Sequence, residues 1–109
     1  MSDVVLVLTT VPSPDLGEQI ARAVVESGLA ACANLLPAMT SIYRWKDQVQ
    51  RDTESQLVIK TVRASVDAVH ALVSELHPYD LPEFIVVPVE GGDPAYLAWV
   101  AAESSAPDA

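Results

Sequence analysis

Two short runs, Val4–Leu8 (VVLVL) and Phe84–Val87 (FIVV), are apolar at every position. A strand with one wet face alternates apolar and polar residues, because successive side chains point to opposite sides. A strand that is apolar on both parities needs cover on both sides. Whatever this chain folds into must therefore give one sheet two layers of cover, within 109 residues. A chain of that length builds a single domain, residues 1–109, around a single core.

The supply of elements follows from periodicity and punctuation. VVLVLTTV (Val4–Val11) is a β-branched run that predicts a strand. Ser13 and Pro14 then give an N-cap and a first helical residue, and Gly28 closes the helix; Leu16, Ile20, Ala23, Val24 and Ser27 share its apolar or small face. Ala31 to Trp45 reads as one extended strand interrupted at Pro37, KDQ (46–48) as a turn, and Val49 to Val62 as extended again. A second helix over ASVDAVHALVSELH carries Val66, Val69, Leu72, Val73 and Leu76 on one face and stops at Pro78. PEFIVVPV is the fourth strand, and Asp93–Pro94 opens a C-terminal helix, PAYLAWVAAE. The tail from about Ser104 is expected to be frayed.

The order β-α-β-β-α-β with a terminal helix is an α+β, ferredoxin-like arrangement. Right-handed crossovers place both main helices on one face of the sheet. Only one short helix is left for the other face. The central hairpin poses a second problem, because its strands run for roughly 45 Å, well beyond the first and fourth. Unpaired edges of that length invite aggregation. Both problems disappear if subunits pack sheet on sheet and the arms pair between copies, so the sequence calls for an oligomer.

Charge narrows the partners. Six basic against 15 acidic side chains give −9, which repels phosphate backbones and anionic lipid and argues against nucleic acid and membrane partners. A lone cysteine, Cys32, leaves no internal disulfide to form. The N-terminus lacks a basic n-region and its apolar run is too short for a signal or a span, so the expected location is cytoplasmic.

The stretches LAACANLLPAMTSIYRWKDQVQRDTESQLVIKT, HPYDLPEFIVVPV and YLAWV, in that order, resemble the CutA family of divalent-cation tolerance proteins over about Val4 to Val100. The resemblance implies a ferredoxin-like homotrimer whose long hairpins reach over neighbouring subunits, an architecture similar to the PII nitrogen-signalling proteins. It also implies a role in tolerance of copper and other divalent cations, with metal binding in some members and no established enzymatic activity. Three positions depart from the family pattern: Asp47 stands where glycine is usual in the hairpin turn, Thr9 where some members carry a cysteine ligand, and Leu76 where a histidine precedes His77.

Several residues are candidates for a site. On the hairpin, Glu54, Val58 and Lys60 share a face by the two-residue period, and the turn register adds Tyr43 and Trp45. Lys60 within a strand needs a partner, either an ion pair with Glu54 or Glu83 that locks subunits together or a place among the charged groups of an inter-subunit pocket with aromatic walls. HPYDLPEF (77–84) adds His77, Tyr79, Asp80 and Glu83 at a helix end. His77 reads either as an exposed cation against the helix dipole or as a metal ligand. His70 reads as a surface residue. Cys32 reads as a core residue sharing a face with Leu36, Leu57 and Ile59, unless a bulge at Pro37 flips it; its other role is a soft copper ligand. No cofactor is required, and binding of Cu²⁺ or another divalent cation is expected to be weak. No H-E-x-x-H, glycine-rich phosphate loop or paired nucleophile and base is present, so catalysis is not expected.

Overall fold

The computed structural model describes residues 3–104. Strand β1 (Val4–Val11) leads into helix α1 (Pro14–Glu26). The Ser13 side chain accepts the Leu16 N–H at 3.3 Å as N-cap, and Gly28 exits the helix with φ +77°. Strands β2 (Cys32–Leu35) and β3 (Met39–Trp45) follow, then the long β4 (Gln48–Val62), a 3₁₀ turn (Arg63–Ser65), helix α2 (Val66–Leu76), strand β5 (Ile85–Pro88) and helix α3 (Pro94–Glu103). All pairings are antiparallel, in the order β2-β4-β1-β5, with β3 paired to the far half of β4. This is the expected α+β order. The fourth predicted strand is shorter than its sequence suggested, because Pro82 to Phe84 approach the sheet without pairing.

The core lies between the sheet and the two main helices. Val7, Val11, Leu57 and Ile59 from the strands meet Ile20, Val24, Val69 and Val73, all buried. Phe84 packs at its margin with the His70 ring stacked on it at 4.3 Å, and His70 stays exposed as expected. Helix α3 covers part of the opposite face, against β4 and β1, with Val100 fully buried. Ser104 is not frayed: it is buried, and its carbonyl accepts the Ser65 hydroxyl at 2.6 Å. The rest of the tail, 105–109, lies outside the described residues. Elsewhere cover is thinner, with Ile85, Val86 and Trp99 between 37% and 49% exposed.

Where one strand was expected from Ala31 to Trp45, there are two. Between Leu35 and Met39 lie three residues; between their partners Leu57 and Glu54 lie two. One extra residue around Pro37 makes a bulge, and a one-residue slip reverses which face each side chain takes. Cys32 therefore pairs with Lys60, and Ala33 and Leu35 take the core-facing positions opposite Ile59 and Leu57. The shared face proposed for Cys32 with Leu57 and Ile59 is overturned for this reason.

Beyond the bulge, β3 and the distal half of β4 form a two-stranded arm. Its turn is Lys46–Asp47, with φ +50° and +64°, the paired left-handed conformation of a type I′ hairpin. The arm stretches the molecule to 44 Å and raises the radius of gyration to 14.4 Å, against roughly 13 Å for a compact chain of about this length.

Candidate functional site

The arm and the loop from His77 to Phe84 enclose an open cleft of about 840 Å³. The β3–β4 register places Met39, Ser41, Tyr43 and Trp45 on the same arm face as Asp52 and Glu54. Pro78 to Glu83 form the facing wall, with Thr10 and Gln56 at the base. The cleft is lined by four carboxylates (Asp52, Glu54, Asp80, Glu83) and three aromatic rings (Tyr43, Trp45, Tyr79), without any lysine or arginine.

Hydrogen bonds tie the two walls together. The Tyr79 phenol donates to Glu54 Oε2 at 3.0 Å, and Glu54 is buried beneath it. Gln56 Nε2 donates to Glu83 Oε2 at 3.0 Å and to the Thr9 carbonyl at 2.8 Å, anchoring the loop to β1. On the arm, the Tyr43 hydroxyl donates to Asp52. Burial, followed by the bond to Glu54 and the charges of Glu54 and Asp52, pushes the Tyr79 phenol up to about 12. The hydrogen bond to Asp52 likewise raises that of Tyr43. Both phenols thus stay protonated donors at neutral pH.

His77 occupies a different place from the one its sequence context suggested. The residue is 8% exposed. Its Nδ1 accepts the Tyr79 N–H at 3.2 Å, so Nε2 carries the proton and donates to the Thr10 carbonyl at 2.7 Å. Both ring nitrogens are spent on backbone. The imidazole is a bracket between α2's end and β1, not an exposed cation over the helix carbonyls. Its neighbour Pro78 reaches the cleft; the ring does not line it.

Lys60 also lies elsewhere. Its ammonium sits 3.4 Å from the Tyr96 hydroxyl and 5.7 Å from that ring's centroid, on the part of the face covered by α3. Within the subunit, among the described residues, Lys60 makes no ion pair, and Glu54 and Glu83 accept from Tyr79 and Gln56. Of the proposed cleft set, Tyr43, Trp45, Glu54, Tyr79 and Glu83 are brought together, and Lys60 and His77 are not. Sequence reasoning passed over Gln56 and Asp52, although the same two-residue period that selected Glu54 and Lys60 runs through both.

The residues do not fit a tight metal site. Among the described residues no group of three histidine, cysteine, aspartate or glutamate side chains is disposed to hold an ion. Thr9, at the strand position of interest, is buried on the core side with Oγ1 unpartnered. Cys32 is half-buried, with Sγ 3.8 Å from Asn34 Oδ1.

Comparison with known proteins places this architecture. Residues 5–103 match the family model described as CutA1 divalent ion tolerance protein. The chain belongs to that family. It is similar to the Thermus thermophilus divalent-cation tolerance protein CutA, with 43% identity over 87% of this chain and 92% of that one. Mouse Protein CutA is 48% identical over 84% of this chain, which spans only 51% of that longer protein. Among solved structures, that of a Thermus thermophilus divalent cation tolerance protein superimposes with a TM-score of 0.92 at 40% identity, covering 94% of this chain and 99% of that one. The periplasmic divalent cation tolerance protein CutA of Archaeoglobus fulgidus gives 0.90 at 27% identity, covering 94% and 99%. No helix among the described residues is long and apolar enough to cross a membrane.

Proposed function

We propose that this chain works as a cytoplasmic homotrimer in the response to divalent cations, as a binding or signalling protein and not as an enzyme. The observation that carries the reading is the arm. From Gln48 to Glu54, β4 pairs only with β3, because β1 ends opposite Ser55. An exposed, unpaired edge of that length is a ready template for pairing with another chain, and cover by a neighbouring copy satisfies it. The half-covered sheet face, with Ile85 and Trp99 exposed, makes the same demand. Light scattering at micromolar concentration should give three chains of 11.6 kDa, about 35 kDa. A monomer mass would overturn the proposal.

Direct metal binding by the folded subunit is weak in this reading. The cleft offers carboxylate oxygens, whereas tight and geometry-specific copper sites use several nitrogen or sulfur ligands. Calorimetry on tag-free protein should find Cu²⁺ bound no tighter than roughly micromolar, about −8 kcal/mol. Nanomolar binding at one ion per subunit would show a site completed between subunits.

A second reading is favoured by the cleft's aromatic walls: a PII-like sensor that takes a small ligand between subunits. It rests on likeness of architecture. Native mass spectrometry of protein taken directly from cells tests it, by the presence or absence of an added small-molecule mass.

A further inference from the structure

We infer that the cleft takes a linear aliphatic polyamine, an organic cation whose ammonium groups are spread along an apolar chain. The inference rests on the small-ligand reading above and names the chemical class of that ligand. At about 840 Å³ the cavity has the size of a small-molecule site. Its walls carry four carboxylates and three aromatic rings, and no lysine or arginine lines it. Among the described residues the ion pairs join Arg22 to Glu18 and Glu26, so within the subunit none of the four acids meets a cation. The side-chain hydrogen bonds they accept come from neutral groups: Tyr43 to Asp52, Tyr79 to Glu54 and Gln56 to Glu83.

Glu54 carries the strongest demand. It is only 8% exposed, and its charge is answered by a phenol alone. A buried carboxylate without a counter-charge is costly, and a cation brought into the cleft relieves that cost. The rings supply a second attraction, independent of the acids. Tyr43, Trp45 and Tyr79 line the cavity and are 37% to 42% exposed. Open aromatic faces attract an ammonium group and the methylenes beside it.

The same observations select among ligands. A nucleotide or other anion would meet carboxylates and no basic group. A bare divalent ion would answer charge, but no three ligating side chains among the described residues are disposed around one point, and the rings would stay uncovered. The acids lie on both walls, Asp52 and Glu54 on the arm and Asp80 and Glu83 on the facing loop. Charge spread in that way calls for a cation spread along a chain. The methylenes between its ammonium groups would meet the rings and Leu81, which lines the loop wall at 72% exposure.

The test uses the full chain, with spermidine as the probe and a neutral diol of the same length, ATP and Mg²⁺ as controls. In a Trp99→Phe background spermidine should change Trp45 emission saturably, with half-saturation in roughly the tens of micromolar at physiological salt, and the controls should not. By calorimetry, Asp52→Asn and Asp80→Asn should each weaken binding about threefold, and Trp45→Leu about three- to fivefold. Asp67→Asn/Glu75→Asn removes more charge, from exposed positions on α2, and should leave binding unchanged. Binding that falls as far with the α2 pair is diffuse attraction to an acidic surface and overturns the inference. Displacement of spermidine by Mg²⁺ at equal charge makes this a site for inorganic cations and overturns it too. ATP bound at Trp45 in place of spermidine overturns the inference and keeps the small-ligand reading, as does an added mass on protein from cells that ignores spermidine. No added mass and no response to spermidine or ATP overturn both.

Discussion

Replacing His77 separates a bracket from a ligand. The imidazole donates to the Thr10 carbonyl at 2.7 Å and accepts the Tyr79 N–H at 3.2 Å from a position only 8% exposed. His77→Ala removes both bonds and the ring that packs 4.7 Å from that of Tyr79. Each bond contributes about 1 kcal/mol net, and a carbonyl left buried without its donor costs somewhat more. Loss of the buried ring adds about 1 kcal/mol. The expected destabilisation is therefore about 3 kcal/mol. Two further variants divide it: His77→Asn keeps an acceptor near the Nδ1 position and His77→Gln keeps an amide that reaches toward Thr10, so each should lose less than alanine. Urea unfolding in the presence of a chelator gives the values, with the slope held common and protein concentration fixed, because dissociation and unfolding are coupled in an oligomer. A metal ligand without a structural role would behave oppositely, and removing it would leave the metal-free protein unchanged. If His77→Ala melts within about 0.5 kcal/mol of the parent under chelation, the bracket does not exist in solution.

At Gly17 an added Cβ would stand 2.6 Å from Leu35 Cδ1 and 3.1 Å from Val11 Cγ2. Gly17→Ala should therefore lose about 1 kcal/mol net, since overpacking exceeds the roughly 1 kcal/mol gained in helix propensity; a rise in stability would show that Leu35 swings aside. The turn residues Lys46 and Asp47 hold left-handed backbone that suits Asn-Gly better, so Lys46→Asn/Asp47→Gly should stabilise the arm by about 1 kcal/mol, read as slower amide exchange along β3. The Tyr79 phenol is raised in the folded state to about 12, so its contribution is fully present below about pH 10 and is lost as pH rises from there through about 12. A stability profile over that window should fall more steeply for the parent than for Tyr79→Phe, and equal slopes would refute the Tyr79–Glu54 bond.

The local rules of the chain were enough to set the order of its helices and strands, apart from the division of the expected Ala31–Trp45 strand into β2 and β3. Ser13–Pro14 and Asp93–Pro94 start helices where the residue types allow nothing better, Pro78 turns His77 out of the helix with ψ 133°, and the 3.6-residue spacing of Val66, Val69 and Val73 chooses the buried face of α2. The apolar runs on both parities of β1 and near β5 foretold that the sheet needs a second cover. Tertiary structure alone decided which groups meet. A one-residue bulge at Pro37, which the sequence offered only as the alternative for Cys32, was decided by how β4 is shared between two partners, and it reversed that residue's face. His77 was captured by a carbonyl 67 residues away in sequence, and Lys60 by Tyr96, 36 residues away. Hydrogen bonds act over about 3 Å, whereas sequence patterns report only which side of an element a residue occupies. Membership of a face was therefore legible in the sequence, and partnership across the fold was not.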